Sequence, residues 1–124
     1  MKLLESGEMY LETILILSKQ MKRVHAVDIA DYMGFSKPSV SRGLARLKAD
    51  DYILVKEGCN CVLLTEKGKE VAERIYERHV VITEMLLYVG VSPETAAADA
   101  CKIEHDLSDE AFEQLKKHSK TLNK

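Results

Sequence analysis

Residues 26–50 read AVDIADYMGFSKPSVSRGLARLKAD. The first part is short and amphipathic and stops at Gly34, the residue type that most readily takes the left-handed conformation in which helices end. Phe35 and Ser36 follow, and Pro38 falls in the next first turn, where a residue without an N–H is tolerated. The spacing predicts two short helices joined by a Gly-containing turn, the helix-turn-helix pattern. The second helix is basic. Between Ser36 and Lys48 stand Lys37, Arg42, Arg46 and Lys48 with no acid, whereas Glu104 to Glu113 holds five acids and no Lys or Arg. A small basic patch on a body of net charge −2 is the footprint of a chain that docks on DNA with part of its surface. It is not that of one that coats nucleic acid by bulk charge.

Upstream, EMYLETILILSKQ sets Met9, Leu11, Ile14, Leu15 and Leu17 at mostly helical spacing and predicts a first helix from about Leu4 to Gln20. Downstream, YILVKEGCNCVLLT alternates around the turn candidate EGCN and predicts a β-hairpin. Helix-turn-helix plus hairpin is a winged helix, in which the second short helix enters the major groove and the hairpin reaches backbone phosphates. Thr65 is the expected cap of a long helix, EKGKEVAERIYERHVVITEMLLYVG, closing at Gly90. Ser92 and Pro93 start a further helix, and Ser108 a last one with Phe112 and Leu115 on its apolar face. The expected fold class is mainly α with a small β-hairpin: a winged helix-turn-helix followed by a small all-helical module.

The fifth of these helices carries CKIEH, residues 101–105. On a helix, positions three and four apart share a face, so Cys101, Glu104 and His105 would aim a sulfur, an oxygen and a nitrogen at one spot. That is half of a metal site, better suited to Fe, Co, Ni or Zn than to Mg or Ca. The competing reading is a buried Cys on an apolar face beside an exposed Glu–His pair. The three cysteines, Cys59, Cys61 and Cys101, are too few and too uneven for a disulfide framework, and a reducing compartment would keep them as thiols. Cys59 and Cys61 flank Asn60 in the wing and, lacking two further ligands nearby, read as wing residues. His25 and His118 lie outside any motif and read as surface residues. No window approaches the roughly 18 uninterrupted apolar residues of a membrane span, and MKLLESGEMY carries acids where a signal peptide is apolar. The expected location is the cytoplasm, off any membrane.

EMYLETI, SKPSVSRGLARL, LLTEKGKEVAERIYERH and CKIEHDLSDEAFEQL, in that order and over nearly all of the chain, resemble the diphtheria toxin repressor family of metal-dependent regulators, which includes the manganese transport regulators. The resemblance implies a homodimeric repressor, not an enzyme, that binds an inverted-repeat operator in double-stranded DNA near metal-uptake genes. It implies a winged-helix DNA-binding domain over residues 1–75 and a helical metal-binding and dimerisation domain over 76–124, the two-domain form without an SH3-like third domain.

The metal ligands it implies are Met9, Cys101, Glu104 and His105. His79 stands at a ligand position shared by the iron-type and manganese-type branches, and Glu12 at a carboxylate position of the manganese type. Met9 and Cys101 stand where the manganese branch has Asp and Glu. Thioether and thiolate are soft donors, which Fe²⁺, Co²⁺, Ni²⁺ and Zn²⁺ accept and Mn²⁺ uses poorly. Fe²⁺ is therefore the expected ion, with a manganese-responsive regulator as the alternative. Thr83 and Ala97 occupy two ligand places of the iron branch's ancillary site, and Glu84, one position off, could substitute only if the ring and helix turned, so the sequence leaves a second site of that type open. For DNA, Ser36, Lys37, Pro38, Ser39, Ser41 and Arg42 match the start of the family's recognition helix. Arg42 can donate a bidentate pair to guanine or bind phosphate, and Lys37 suits phosphate. Two other classes compete. One is a thiol redox sensor on the same scaffold, with Cys101 oxidised in place of metallated. The other is an enzyme with Cys101 as nucleophile and His105 as base, against which no glycine-rich turn or oxyanion-hole pattern surrounds the Cys.

Overall fold

The structure, a computed structural model, describes residues 5–122. The elements are α1 (Glu5–Gln20), α2 (Ala26–Met33), α3 (Lys37–Ala49), β1 (Ile53–Lys56), β2 (Cys61–Leu64), α4 (Glu66–Tyr88), α5 (Pro93–Ile103) and α6 (Asp109–Leu122). The mainly α architecture with one hairpin is the expected fold class. The first helix begins at Glu5; Leu4, the expected start, lies outside the described residues. The chain divides into two compact units, residues 1–73 and 74–124, with the boundary inside α4.

In the first unit, α1 supplies Tyr10, Leu11, Ile14, Leu15 and Leu17 to a core shared with Ile29, Val40, Leu44, Leu47, Ile53 and Val62, all buried. Burying each such aliphatic side chain is worth roughly 1.5–3 kcal/mol against the ordering cost of the chain. The turn between α2 and α3 rests on Gly34 in the left-handed conformation (φ 71°). Its N–H donates to the Ala30 carbonyl at 2.9 Å, and that of Phe35 to the same oxygen at 3.2 Å. Phe35 then meets the Tyr10 ring edge-on, centroids 6.1 Å apart. Ser36 caps α3, its hydroxyl accepting the Ser39 N–H at 3.3 Å.

The hairpin pairs Ile53 with Leu64, Val55 with Val62 and Lys56 with Cys61. Ile53 and Val62 are buried whereas Leu54 and Leu63 are exposed, as the two faces of a strand require. Val62 N–H donates to the Val24 carbonyl at 2.7 Å, tying β2 to the segment before α2. Thr65 closes the unit: its hydroxyl donates to the Asp51 carbonyl at 2.6 Å and accepts the Gly68 N–H at 3.1 Å. At Gly68 a Cβ would stand 2.0 Å from the Tyr52 carbonyl oxygen, so the first turn of α4 lies on that backbone only because the side chain is missing.

The second unit comprises the rest of α4 with α5 and α6, around Val81, Ile82, Ala96, Ala100 and Phe112. Ser92 accepts the Thr95 N–H at 3.4 Å and Ser108 the Ala111 N–H at 3.1 Å, so both expected caps are in place. Leu115 is half-buried. α4 ends at Tyr88, two residues before Gly90, which lies in the following turn with φ 105°. The expectation of one helix through CKIEH is corrected: α5 stops at Ile103, Glu104 is its cap, and His105 lies in the turn beyond. Among the described residues no helix is long and apolar enough to cross a membrane.

Candidate metal centre and nucleic-acid face

Glu104 keeps a helical backbone (φ −59°, ψ −26°) and its N–H still donates to Ala100 at 2.9 Å. Its carboxylate therefore remains on the face of α5 that carries Cys101. From α4, His79 meets both. Its Nδ1–H donates to Glu104 Oε2 at 2.9 Å, and the same nitrogen lies 3.8 Å from Cys101 Sγ. One donor atom from each of the three falls within 4.8 Å of the others. His105 Nε2 approaches the second Glu104 oxygen at 3.4 Å.

The burial pattern reverses the competing sequence reading. Cys101 is exposed, whereas Glu104 is 0% exposed and the His105 side chain 1%. Donors about 2.0–2.3 Å from a common ion stand roughly 3.3–3.8 Å apart around a tetrahedral centre. The thiol–imidazole spacing meets this, and the imidazole–carboxylate pair needs to open slightly and give up the proton on Nδ1. The nitrogen, sulfur and oxygen donors present thus fit a late first-row divalent ion.

Arg78, next to His79 in α4, was not singled out by the sequence. It is buried, 5% exposed. Its guanidinium donates to the Glu104 carbonyl at 3.2 Å, to the Leu107 carbonyl and to the Asp109 carboxylate, and lies 5.2 Å from the Phe112 ring centroid. It occupies the carbonyl of the α5 cap and that of Leu107 in the connection to α6, and so fixes the turn that carries Glu104 and His105. Its position among apolar helical residues was the available signal, but its reach was not visible.

Met9 and Glu12 belong to the first unit, one turn apart on α1, half-buried and buried respectively. At the ancillary positions, Thr83 and Ala97 are half-buried and neither offers a charged or imidazole donor. The Glu84 carboxylate accepts the Ser119 hydroxyl at 3.4 Å. His118 is exposed, its ring bonded to the Gln114 carbonyl at 2.9 Å.

On α3, burial of Val40, Leu44 and Leu47 turns the opposite face outward. Ser36, Lys37, Pro38, Ser41 and Arg42 are exposed, as are Arg46 and Lys48, while Ser39 is half-buried. The Ser39 hydroxyl accepts from Arg42 Nη2 at 3.4 Å and from the Ser36 hydroxyl at 2.9 Å. Arg42 is therefore presented beside the helix N-terminus, where amides and dipole favour an anion.

The cysteine expectation is corrected in the wing. Cys59 and Cys61 form a disulfide, Cα–Cα 5.3 Å. Asn60 between them is left-handed (φ 57°), which folds residues 59 and 61 toward each other where an extended strand would keep them apart. His25, expected on the open surface, stands beside them: its ring nitrogen Nε2 lies 3.0 Å from the Cys59 carbonyl.

Residues 2–58 match the N-terminal DNA binding domain of the iron dependent repressors, and residues 65–124 their metal binding and dimerisation domain. The chain belongs to the diphtheria toxin repressor family. It is 35% identical over 107 residues to the transcriptional regulator MntR of Escherichia coli, covering 86% of this chain and 68% of that one. It is 33% identical over 114 residues to an uncharacterised HTH-type transcriptional regulator of Methanocaldococcus jannaschii, covering 90% of each. The solved structure of the manganese regulator SloR matches with a TM-score of 0.81 at 30% identity, over 90% of this chain and 52% of that one. The chain thus spans about half the length of SloR. As a member of this family it is a metal-dependent transcriptional regulator, and these relatives are regulators, not enzymes.

Proposed function

We propose that this family member is an iron-responsive repressor of metal-uptake genes, acting in the cytoplasm as a homodimer on an inverted-repeat operator. The observation that carries the reading is the convergence of Cys101 Sγ, His79 Nδ1 and a Glu104 oxygen within 4.8 Å: the thiolate is a donor that Fe²⁺ accepts and Mn²⁺ uses poorly. The ligand set would be Met9, Glu12, His79, Cys101, Glu104 and His105, with residues 1–75 as the DNA-binding domain and 76–124 as the dimerisation domain.

A bound divalent ion would supply a cross-link among these side chains. Met9 and Glu12 would bring α1 to it, His79 would bring α4, and Cys101, Glu104 and His105 the end of α5. Arg78 would hold the last two in place. In a dimer, that linkage would fix the separation of two α3 helices, which must meet major grooves about 34 Å apart. DNA affinity would rise because the ordering cost of a loose dimer is already met before DNA arrives. Ser36, Lys37, Pro38, Ser39, Ser41 and Arg42 would contact the operator.

The manganese reading has its own support: SloR is named a manganese regulator, and Glu12, Glu104 and the histidines are donors that Mn²⁺ accepts. The deciding experiment is fluorescence anisotropy on DNA from upstream of the protein's own gene, titrating Fe²⁺ anaerobically and Mn²⁺ in parallel after chelation. Tightening with Fe²⁺ well before Mn²⁺ supports iron, and the reverse order supports manganese. Equal binding with either ion and with chelator rejects metal control.

A further inference from the structure

The turn of the wing, residues 57–60, joins a second set of donor groups, all in the first unit and none shared with the Cys101 centre. Cys61 is 4% exposed and Cys59 half-buried. The Cys61 N–H donates to Cys59 Sγ at 3.3 Å. His25 faces them from the start of α2, its Nε2 lying 3.9 Å from Cys61 Sγ. Behind the ring, Asp28 Oδ2 stands 3.5 Å from Nδ1 and accepts the His25 backbone N–H at 2.9 Å. The Val62–Val24 hydrogen bond at 2.7 Å holds the two segments in this relation.

Two sulfurs, an imidazole nitrogen and a carboxylate behind the imidazole form the donor arrangement of a thiolate metal site. Metal-ligating histidines commonly carry such a partner on the second ring nitrogen, which orients the ring and raises its basicity. Sulfurs about 2.3 Å from one ion lie roughly 3.8 Å apart, within reach of side chains whose Cα atoms are 5.3 Å apart. The His25 side chain is 40% exposed, so solvent can supply a fourth ligand. Thiolates select Zn²⁺ and other thiophilic ions over Mg²⁺, Ca²⁺ and Mn²⁺.

We propose that Cys59, Cys61 and His25 form a redox-gated Zn²⁺ site in the wing, with Asp28 as the positioning residue, open when the cysteines are reduced and closed when they are joined. Opening consumes two molecules of a low-molecular-weight thiol: its two electrons and two protons convert the Cys59–Cys61 bond into two thiols, and the reductant leaves as its own disulfide. Each cysteine then loses a proton to solvent as its sulfur bonds the ion. This site does not depend on the assignment of the Cys101 centre.

The test uses the full chain carrying Cys101→Ser, which removes the other thiolate, with Co²⁺ as a spectroscopic stand-in for Zn²⁺. Thiolate-to-cobalt charge-transfer absorption is recorded after reduction with a phosphine and again after oxidation. The expected result is a charge-transfer band of two-thiolate intensity that corresponds to one thiolate-bound Co²⁺ per chain, displaced by Zn²⁺, abolished by oxidation and by Cys59→Ser with Cys61→Ser. His25→Gln should weaken Co²⁺ binding by about tenfold or more, and Asp28→Asn by about tenfold, the order lost with a ligand's partner. Absence of the band in the reduced chain overturns the proposal. So does a band shared between two chains, or His25→Gln binding as tightly as its parent.

Discussion

On the proposed reading, the Cys101 sulfur sets the ion preference. Cys101→Asp exchanges a soft donor for a hard one on the same face as His79 and Glu104, and should move the ion that promotes DNA binding from Fe²⁺ toward Mn²⁺. The check is the order of the two midpoints in parallel anisotropy titrations. Cys101→Ala should abolish metal-stimulated binding; unchanged stimulation would reject the site. Arg78 acts one step removed. Arg78→Lys keeps the charge but not the planar fork that reaches two carbonyls and Asp109, and lysine cannot reproduce it. Metal affinity should fall about 10–100-fold, read by chelator competition, with a loss of roughly 1–3 kcal/mol in stability from the carbonyls left unsatisfied. The donor types were legible in CKIEH because residue identity alone states them. The burial of Glu104 beneath an exposed Cys101 was not, because it depends on where α4 puts His79 and Arg78.

Among the elements, those with punctuation were legible and those ended by tertiary contacts were not. Gly34, Ser36 and Pro38 mark the helix-turn-helix, and EGCN marks the hairpin, because turn chemistry is local. No glycine or proline follows Ile103, so although Ser108 announces the next helix, nothing marks where before it α5 ends; the bonds that Arg78 gives to Glu104 and Leu107 sit there instead. The Cys59–Cys61 bond escaped for a related reason, since it needs Asn60 in a left-handed conformation that an alternating strand pattern does not suggest. Gly68→Ala tests the packing of the first turn of α4. Its new Cβ would meet a backbone carbonyl, which no rotamer change relieves, and overpacking of this kind costs about 1–3 kcal/mol. Thermal unfolding of the metal-free protein should show the loss. Ser36→Ala removes the cap of α3, worth about 1 kcal/mol, and should lower the same transition by less.

For the whole molecule, a net charge of −2 combined with an acid-free α3 means that DNA affinity rests on a few phosphate contacts. Each neutralised phosphate contributes about 0.9 to the slope of log affinity against log salt. Lys37→Ala on a dimer should therefore flatten that slope by roughly 2 while leaving the ranking of operator sequences unchanged, measured by titration at several salt concentrations. The order of charged residues along the chain carries this reading by itself, because it needs no knowledge of packing. Glu104 carries a different consequence. A carboxylate at 0% exposure has exchanged its water for the His79 hydrogen bond, and a bound ion would add to that compensation. An ion held there at a hundred times its dissociation constant adds about 2.7 kcal/mol to the folded state. Degradation in cells follows the fraction of chains that open. Starved chains would accordingly be cleared sooner than loaded ones, so that metal supply governs the half-life of the regulator, and limited proteolysis with and without Fe²⁺ would display the difference as surviving intact chain.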